Sequence, residues 1–200
     1  MHRQLKIPDG DMLIHSGDIQ SYGYEHEVKD FNDWLGELPH QYKIVIAGNH
    51  DEFIYNTGYE KISKKYITNA IYLENSSCII ENIKFYGSPI SPAFNNWFFM
   101  AERGKEIQDK YWSKIERDTD FLVTHGPPYG IMDEAVSLNT GHVGCNDLLW
   151  TVKQLKPQFH IFGHIHSGNG IIKKDNITFV NASVVDEDYK IAYEPKEIQI

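Results

Sequence analysis

The stretch "KIVIAGNHD", residues 43–51, joins two kinds of chemistry: an apolar run with β-branched residues, then a glycine followed by an amide, an imidazole and a carboxylate. Short apolar runs of this composition predict buried strands, so residues 43–47 are read as a strand that empties into a polar turn at Gly48-Asn49-His50-Asp51. The same arrangement occurs at three other places. "MLIH" (12–15) runs into Ser16-Gly17-Asp18, "FLVT" (121–124) into His125-Gly126-Pro127-Pro128, and "HIF" (160–162) into Gly163-His164-Ile165-His166. In α/β proteins ligands bind beyond the carboxyl ends of the strands, so loops far apart in sequence are expected to meet at one place.

Further runs, "CII" with "IKFYG" (78–87) and "ITFV" (177–180), predict additional strands. In "EHEVKDFNDWLGELP" the residues Val28, Phe31, Leu35 and Leu38 repeat at the spacing of one helix face, and Pro39 marks the stop. Helices are also expected over 102–116 and 145–155, the second closed by Pro157. Alternating strands and helices of this kind argue for α/β layers around buried sheets. The 200 residues suit one domain, 1–200, with no repeat, linker or low-complexity tract.

The 19 basic and 28 acidic residues give a net charge of −9, and no Lys/Arg cluster stands out, which argues against binding duplex nucleic acid. Two cysteines, Cys78 and Cys145, make no disulfide framework, and no apolar segment has the length of a membrane span. The expectation is a cytoplasmic protein that contacts no membrane. The sequons at Asn75, Asn176 and Asn181 would matter only in a secreted chain.

Each polar turn alone has an ordinary reading. Gly-Asp after a strand is usually a turn, Asn-His-Asp can open a helix, and a single histidine is more often hydrogen-bonded than ligating. The pair His164 and His166 is stronger, because two close imidazoles repel once protonated and a cation offsets this. A carboxylate, an amide oxygen and three imidazoles make a mixed N/O donor set suited to Mn, Fe, Zn or Ni. Two such ions a few ångströms apart could position a nucleophile and neutralise a phosphoryl group. His50 would then act as an acid or hold phosphate, as catalytic and substrate-binding residue together with Asn49, and Asp51 would orient its ring. Of the aromatic group Phe94, Trp97, Phe98 and Phe99, core packing is the first reading and stacking on a nucleobase the second.

In order and spacing, "GDI" (17–19), "GNHD" (48–51), "THGPP" (124–128) and "GHIH" (163–166) resemble the calcineurin-like metallophosphoesterases. "FNDWLGELPHQYKIVIAGNHD", "FYGSPISPAFNNWFF" and "VGCNDLL" through "FGHIHSGNG" are similar to the subfamily of metallophosphoesterase-domain proteins expressed in brain and their bacterial relatives. The resemblance implies two mixed β-sheets packed as a sandwich and flanked by helices. It implies Asp18 bridging two divalent ions, Asn49, His125 and His164 on the second ion, His166 on the first, and His50 facing phosphate and leaving group. The implied activity is hydrolysis of phosphodiesters, cyclic nucleotides included, by a metal-held hydroxide, with manganese as one candidate ion. Two alternatives are a non-catalytic binding or scaffold domain with an incomplete metal site, and a phosphomonoesterase or protein phosphatase.

The front of the chain departs from the family pattern. There a core strand ends in Asp-x-His, whose residues ligate the first ion; here "MHRQLKIPDGDMLIHSGD" holds no such motif, and by spacing it would fall just before Met1. The reading preferred from the sequence is a fragment or misjudged start lacking that N-terminal strand. The others are that His2 substitutes, or that the protein holds one ion or none. A missing strand exposes a sheet edge that a partner chain, such as a second copy in a homodimer, would cover.

Overall fold

A computed structural model describes residues 1–136 and 141–200. In chain order its strands are β1 (Met12–Ser16), β2 (Tyr42–Ile46), β3 (Ile71–Tyr72), β4 (Ser76–Ile80), β5 (Ile83–Ser88), β6 (Ser91–Pro92), β7 (Met100–Ala101), β8 (Phe121–Thr124), β9 (Phe159–Phe162), β10 (Gly170–Lys174) and β11 (Ile177–Asn181). The α-helices are α1 (Glu25–Glu37), α2 (Glu52–Thr57), α3 (Tyr59–Lys61), α4 (Lys105–Lys110) and α5 (Asn146–Leu155). None of them is long and apolar enough to cross a membrane.

Two main sheets form. One is the parallel sheet β1-β2-β3, and the other is a mixed six-stranded sheet in the order β10-β11-β9-β8-β5-β4. Alternation along the central strands explains why both of their faces are buried. Ile44 and Ile46 of β2 pack with Phe85 of β5, Phe121 and Val123 of β8, Phe159 and Ile161 of β9 and Val180 of β11, forming the core between the sheets. The intervening residues Val45, Ala47, Tyr86, Leu122 and Phe162 point the other way, into a second core shared with Val28, Phe31, Trp34 and Leu35 of α1 and Leu148 and Val152 of α5. The αββα sandwich expected from the sequence is therefore the observed one.

The remaining differences are local. The helix expected over 102–116 is short: α4 gives way at Tyr111 (φ −127°) to a 3-10 turn, Trp112–Lys114, that buries the Trp112 indole. Strand β10 is not among the strands predicted from apolar runs, although Asp175-Asn176 supplies a local signal. Both residues sit at positive φ (53° and 63°) in the two-residue connection of an antiparallel hairpin, where Asn and Asp are tolerated. Glu81-Asn82 does the same between β4 and β5.

The N-terminal segment docks on α1. His2 lies in a 3-10 turn with its ring 5.4 Å from Phe31 and 5.1 Å from Trp34, and Nε2 is 3.0 Å from the Asp30 carboxylate. It therefore packs on a helix face instead of standing in as a metal ligand.

Candidate metal centre

Four strand ends bring the polar turns together. Beyond β1, Gly17 and Asp18 take positive φ (103° and 58°), which turns the Asp18 side chain back across the sheet end. A side chain on Gly17 would strike His125 Nδ1 at 2.5 Å and the Ala47 carbonyl at 2.6 Å. One on Gly48 would meet Asp18 Oδ1 and His125 Cε1. These two glycines are required by close approach, because the carboxylate and imidazole occupy the space a Cβ would fill.

Asp18, His125 and His164 then offer donor atoms that all lie within 4.8 Å of one another, the one such cluster among the described residues. Asn49 joins it, with Oδ1 2.9 Å from His125 Nε2, while Asp18 Oδ2 lies 3.4 Å from the same nitrogen. The other ring nitrogen, Nδ1, donates to the Ser16 carbonyl at 2.9 Å. A carbonyl can only accept, so Nδ1 carries the proton, and in the neutral ring Nε2 presents a lone pair to two oxygens. With Asn49 Oδ1 and Asp18 Oδ2 both facing this nitrogen, a second proton or a cation would satisfy all three atoms. The donor set of carboxylate, amide oxygen and two imidazoles therefore fits a divalent ion.

The electrostatics favour a positive charge beside Asp18. Burial would push Asp18 up, but His125, His50 and His164 outweigh it and hold the carboxyl well below the usual range. Burial opposes the imidazolium of His125, yet the Asp18 carboxylate and the Ser16 carbonyl raise it above the ordinary value. His164, at positive φ (68°), is driven down to about 3 by burial and then by the neighbouring His125. A neutral imidazole is the form that ligates a metal.

Asp51 does not orient the His50 ring. Its carboxylate is buried, and Oδ2 accepts from the Gly48 N–H (2.7 Å) while Oδ1 accepts from the Gln20 N–H (2.8 Å). It thus ties the turn after β1 to the turn after β2. Burial, then the charge of Asp18, raises its pKa to about 7 against those amide hydrogen bonds. His50 reaches the cluster through its backbone N–H, which donates to Asp18 Oδ1 at 3.0 Å; its ring lies against Trp97, centroids 4.4 Å apart. Phe94 packs on His164 at 5.3 Å. The aromatic group therefore divides: Phe99 is core, whereas Phe94 (40% exposed) and Trp97 (42%) stand at the site.

His166 lies outside the cluster of mutually close donors. Its Nδ1 donates to the Asp186 carbonyl at 2.9 Å, and its ring meets Tyr189 edge-on at 5.2 Å. The turn carrying both histidines is clamped by Asn181, fully buried, whose Nδ2 donates to the Ile165 carbonyl (2.8 Å) and whose Oδ1 accepts from Ser183 N–H (3.1 Å). In the sequence Asn181 stands out only as a sequon; its burial leaves no room for a glycan.

An αββα sandwich of one parallel and one mixed sheet, with an Asp/Asn/His cluster at its strand ends, defines a metallophosphoesterase-type fold. The model of the family described as calcineurin-like phosphoesterase matches residues 1–168, and this chain belongs to that family. Metallophosphoesterase domain-containing protein 1 of Homo sapiens is 39% identical over 218 residues, a match covering 98% of this chain. The chain spans 66% of that relative's length. UPF0046 protein C25E10.12 of Caenorhabditis elegans is 40% identical over 206 residues, covering 94% of this chain and 72% of the relative. Among solved structures, that of TT1561 of Thermus thermophilus superposes with a TM-score of 0.61 over 86% of this chain and 76% of its own, at 11% identity, a likeness of fold.

Proposed function

We propose that this chain binds phosphoesters through one divalent cation held by Asp18, Asn49, His125 and His164. On this reading the described residues make an ion-dependent binding domain with an incomplete two-ion centre. The observation that carries it is the single cluster of close donors, with His166 engaged by Asp186 and Tyr189 outside it. A divalent ion bound there would neutralise charge on phosphoryl oxygens. His125 is oriented for this by the Ser16 carbonyl, and Asp51 fixes the relative position of the two turns that carry Asp18 and Asn49.

The test is calorimetric titration of inorganic phosphate into the protein with and without manganese. Binding that requires manganese and disappears in His125→Ala supports the reading. Equal binding without metal contradicts it.

The second reading is hydrolysis of phosphodiesters, cyclic nucleotides included, and one observation favours it. The His50 ring stands at the cluster's edge between Trp97 and Tyr189, where it could protonate a leaving group. Exposed Trp97 and Phe94 beside it suit a flat base or aryl group. Turnover of bis(p-nitrophenyl) phosphate with added manganese, lost in His50→Ala, would establish hydrolysis. Rates on the corresponding monoester would separate it from a phosphomonoesterase.

A further inference from the structure

We propose that Tyr189 is a substrate-contacting residue of this site, its phenol O–H donating to an oxygen of the phosphoester held at the Asp18, Asn49, His125 and His164 cluster. The inference rests on the phosphoester reading above and extends it to a segment, residues 184–193, that lies beyond the 1–168 family match.

The segment is built to carry this side chain. Val185 and Ile191 form an antiparallel bridge, and the Ala192 N–H donates to the Val184 carbonyl at 3.0 Å. Within the loop so closed, Asp186 Oδ1 accepts from the Asp188 N–H (3.0 Å) and the Lys190 N–H (2.9 Å). Two bonds fasten the loop to the histidine turn: His166 Nδ1 donates to the Asp186 carbonyl (2.9 Å), and the Ser167 N–H donates to Glu187 Oε1 (3.1 Å). Tyr189 emerges from this frame at φ 59°, a conformation a bulky side chain rarely adopts. Its ring meets His50 at 5.9 Å and His166 at 5.2 Å, both edge-on, and is 55% exposed. An aromatic side chain held in a disfavoured backbone region, half in solvent and wedged between His50 at the cluster's edge and His166, buries too little area to be explained by packing alone.

Calorimetric titration of inorganic phosphate into the manganese-loaded full chain, wild type against Tyr189→Phe, tests this. Losing a hydrogen bond to a charged oxygen is expected to weaken phosphate binding about tenfold while the melting temperature stays unchanged. Tyr189→Gly, which relieves the positive φ, should bind phosphate at least as weakly as Tyr189→Phe without losing stability. Unchanged affinity in Tyr189→Phe, or a loss that merely follows a fall in melting temperature, overturns the inference. If the wild type binds no phosphate with manganese present, the phosphoester reading itself fails, and this inference fails with it.

Discussion

Asn49 Oδ1 and His125 Nε2 stand 2.9 Å apart across 76 positions of sequence, and Nδ1 of the same ring is already committed to the Ser16 carbonyl. Lone pairs brought this close without an intervening proton repel, so a cation should stabilise the fold. At a manganese concentration about 100-fold above its dissociation constant, stability should rise by about 2.7 kcal/mol. Chelation should reverse the rise in melting temperature, and His125→Ala should abolish it.

The close approach at the two glycines makes a second expectation. Gly17→Ala adds a side chain at positive φ and within 2.6 Å of the Ala47 carbonyl, which belongs to backbone and cannot swing aside. The strained dihedral and the overlap together should cost about 2–4 kcal/mol in chemical denaturation. Gly48→Ala, whose added methyl meets Asp18 and His125 side chains, should weaken manganese binding even where the chain still folds.

Asp51 binds backbone amides of both turns and no ligand. Asp51→Asn keeps the shape but replaces one acceptor with a donor facing an N–H. Cation affinity should fall by about 10- to 100-fold, as for other residues that position ligands, with secondary structure retained by circular dichroism.

His160 gives the expected pH dependence. It is fully buried in β9, with Nε2 2.8 Å from Thr124 Oγ1, and burial lowers its pKa to about 3 from an ordinary 6.5. A depressed folded pKa means that the unfolded chain takes up the proton first. The contribution is therefore complete above pH 6.5 and is lost as pH falls toward 3. Between these limits each such histidine should cost about 1.4 kcal/mol per pH unit. His15, lowered to about 4 chiefly by burial, adds to the same trend. His160→Gln should reduce the slope of stability against pH below 6.5 in metal-free protein; an unchanged slope would contradict the assignment.

The parts of this structure legible in sequence are those with a local signature. Alternating and β-branched runs mark β1, β2, β5, β8, β9 and β11, and glycine-flanked Asp, Asn and His at the ends of β1, β2, β8 and β9 point to one site. What escapes depends on contacts made only in the folded chain. Asp51 reads like a partner for the adjacent His50, yet its carboxylate goes to backbone groups at Gly48 and Gln20. Asn181 and Tyr189 likewise carry no sequence signal for the contacts they make, because these are set by which turn packs beside them. The break at Tyr111 follows from the burial of Trp112, which overrides helix propensity along 102–116.

The most direct measurement is the number of metal ions per chain, by elemental analysis after equilibration with manganese and removal of free ion. About one ion per chain is expected, lost in His125→Ala and retained in His166→Ala. Two ions per chain, with one of them lost in His166→Ala, would contradict the single-ion centre.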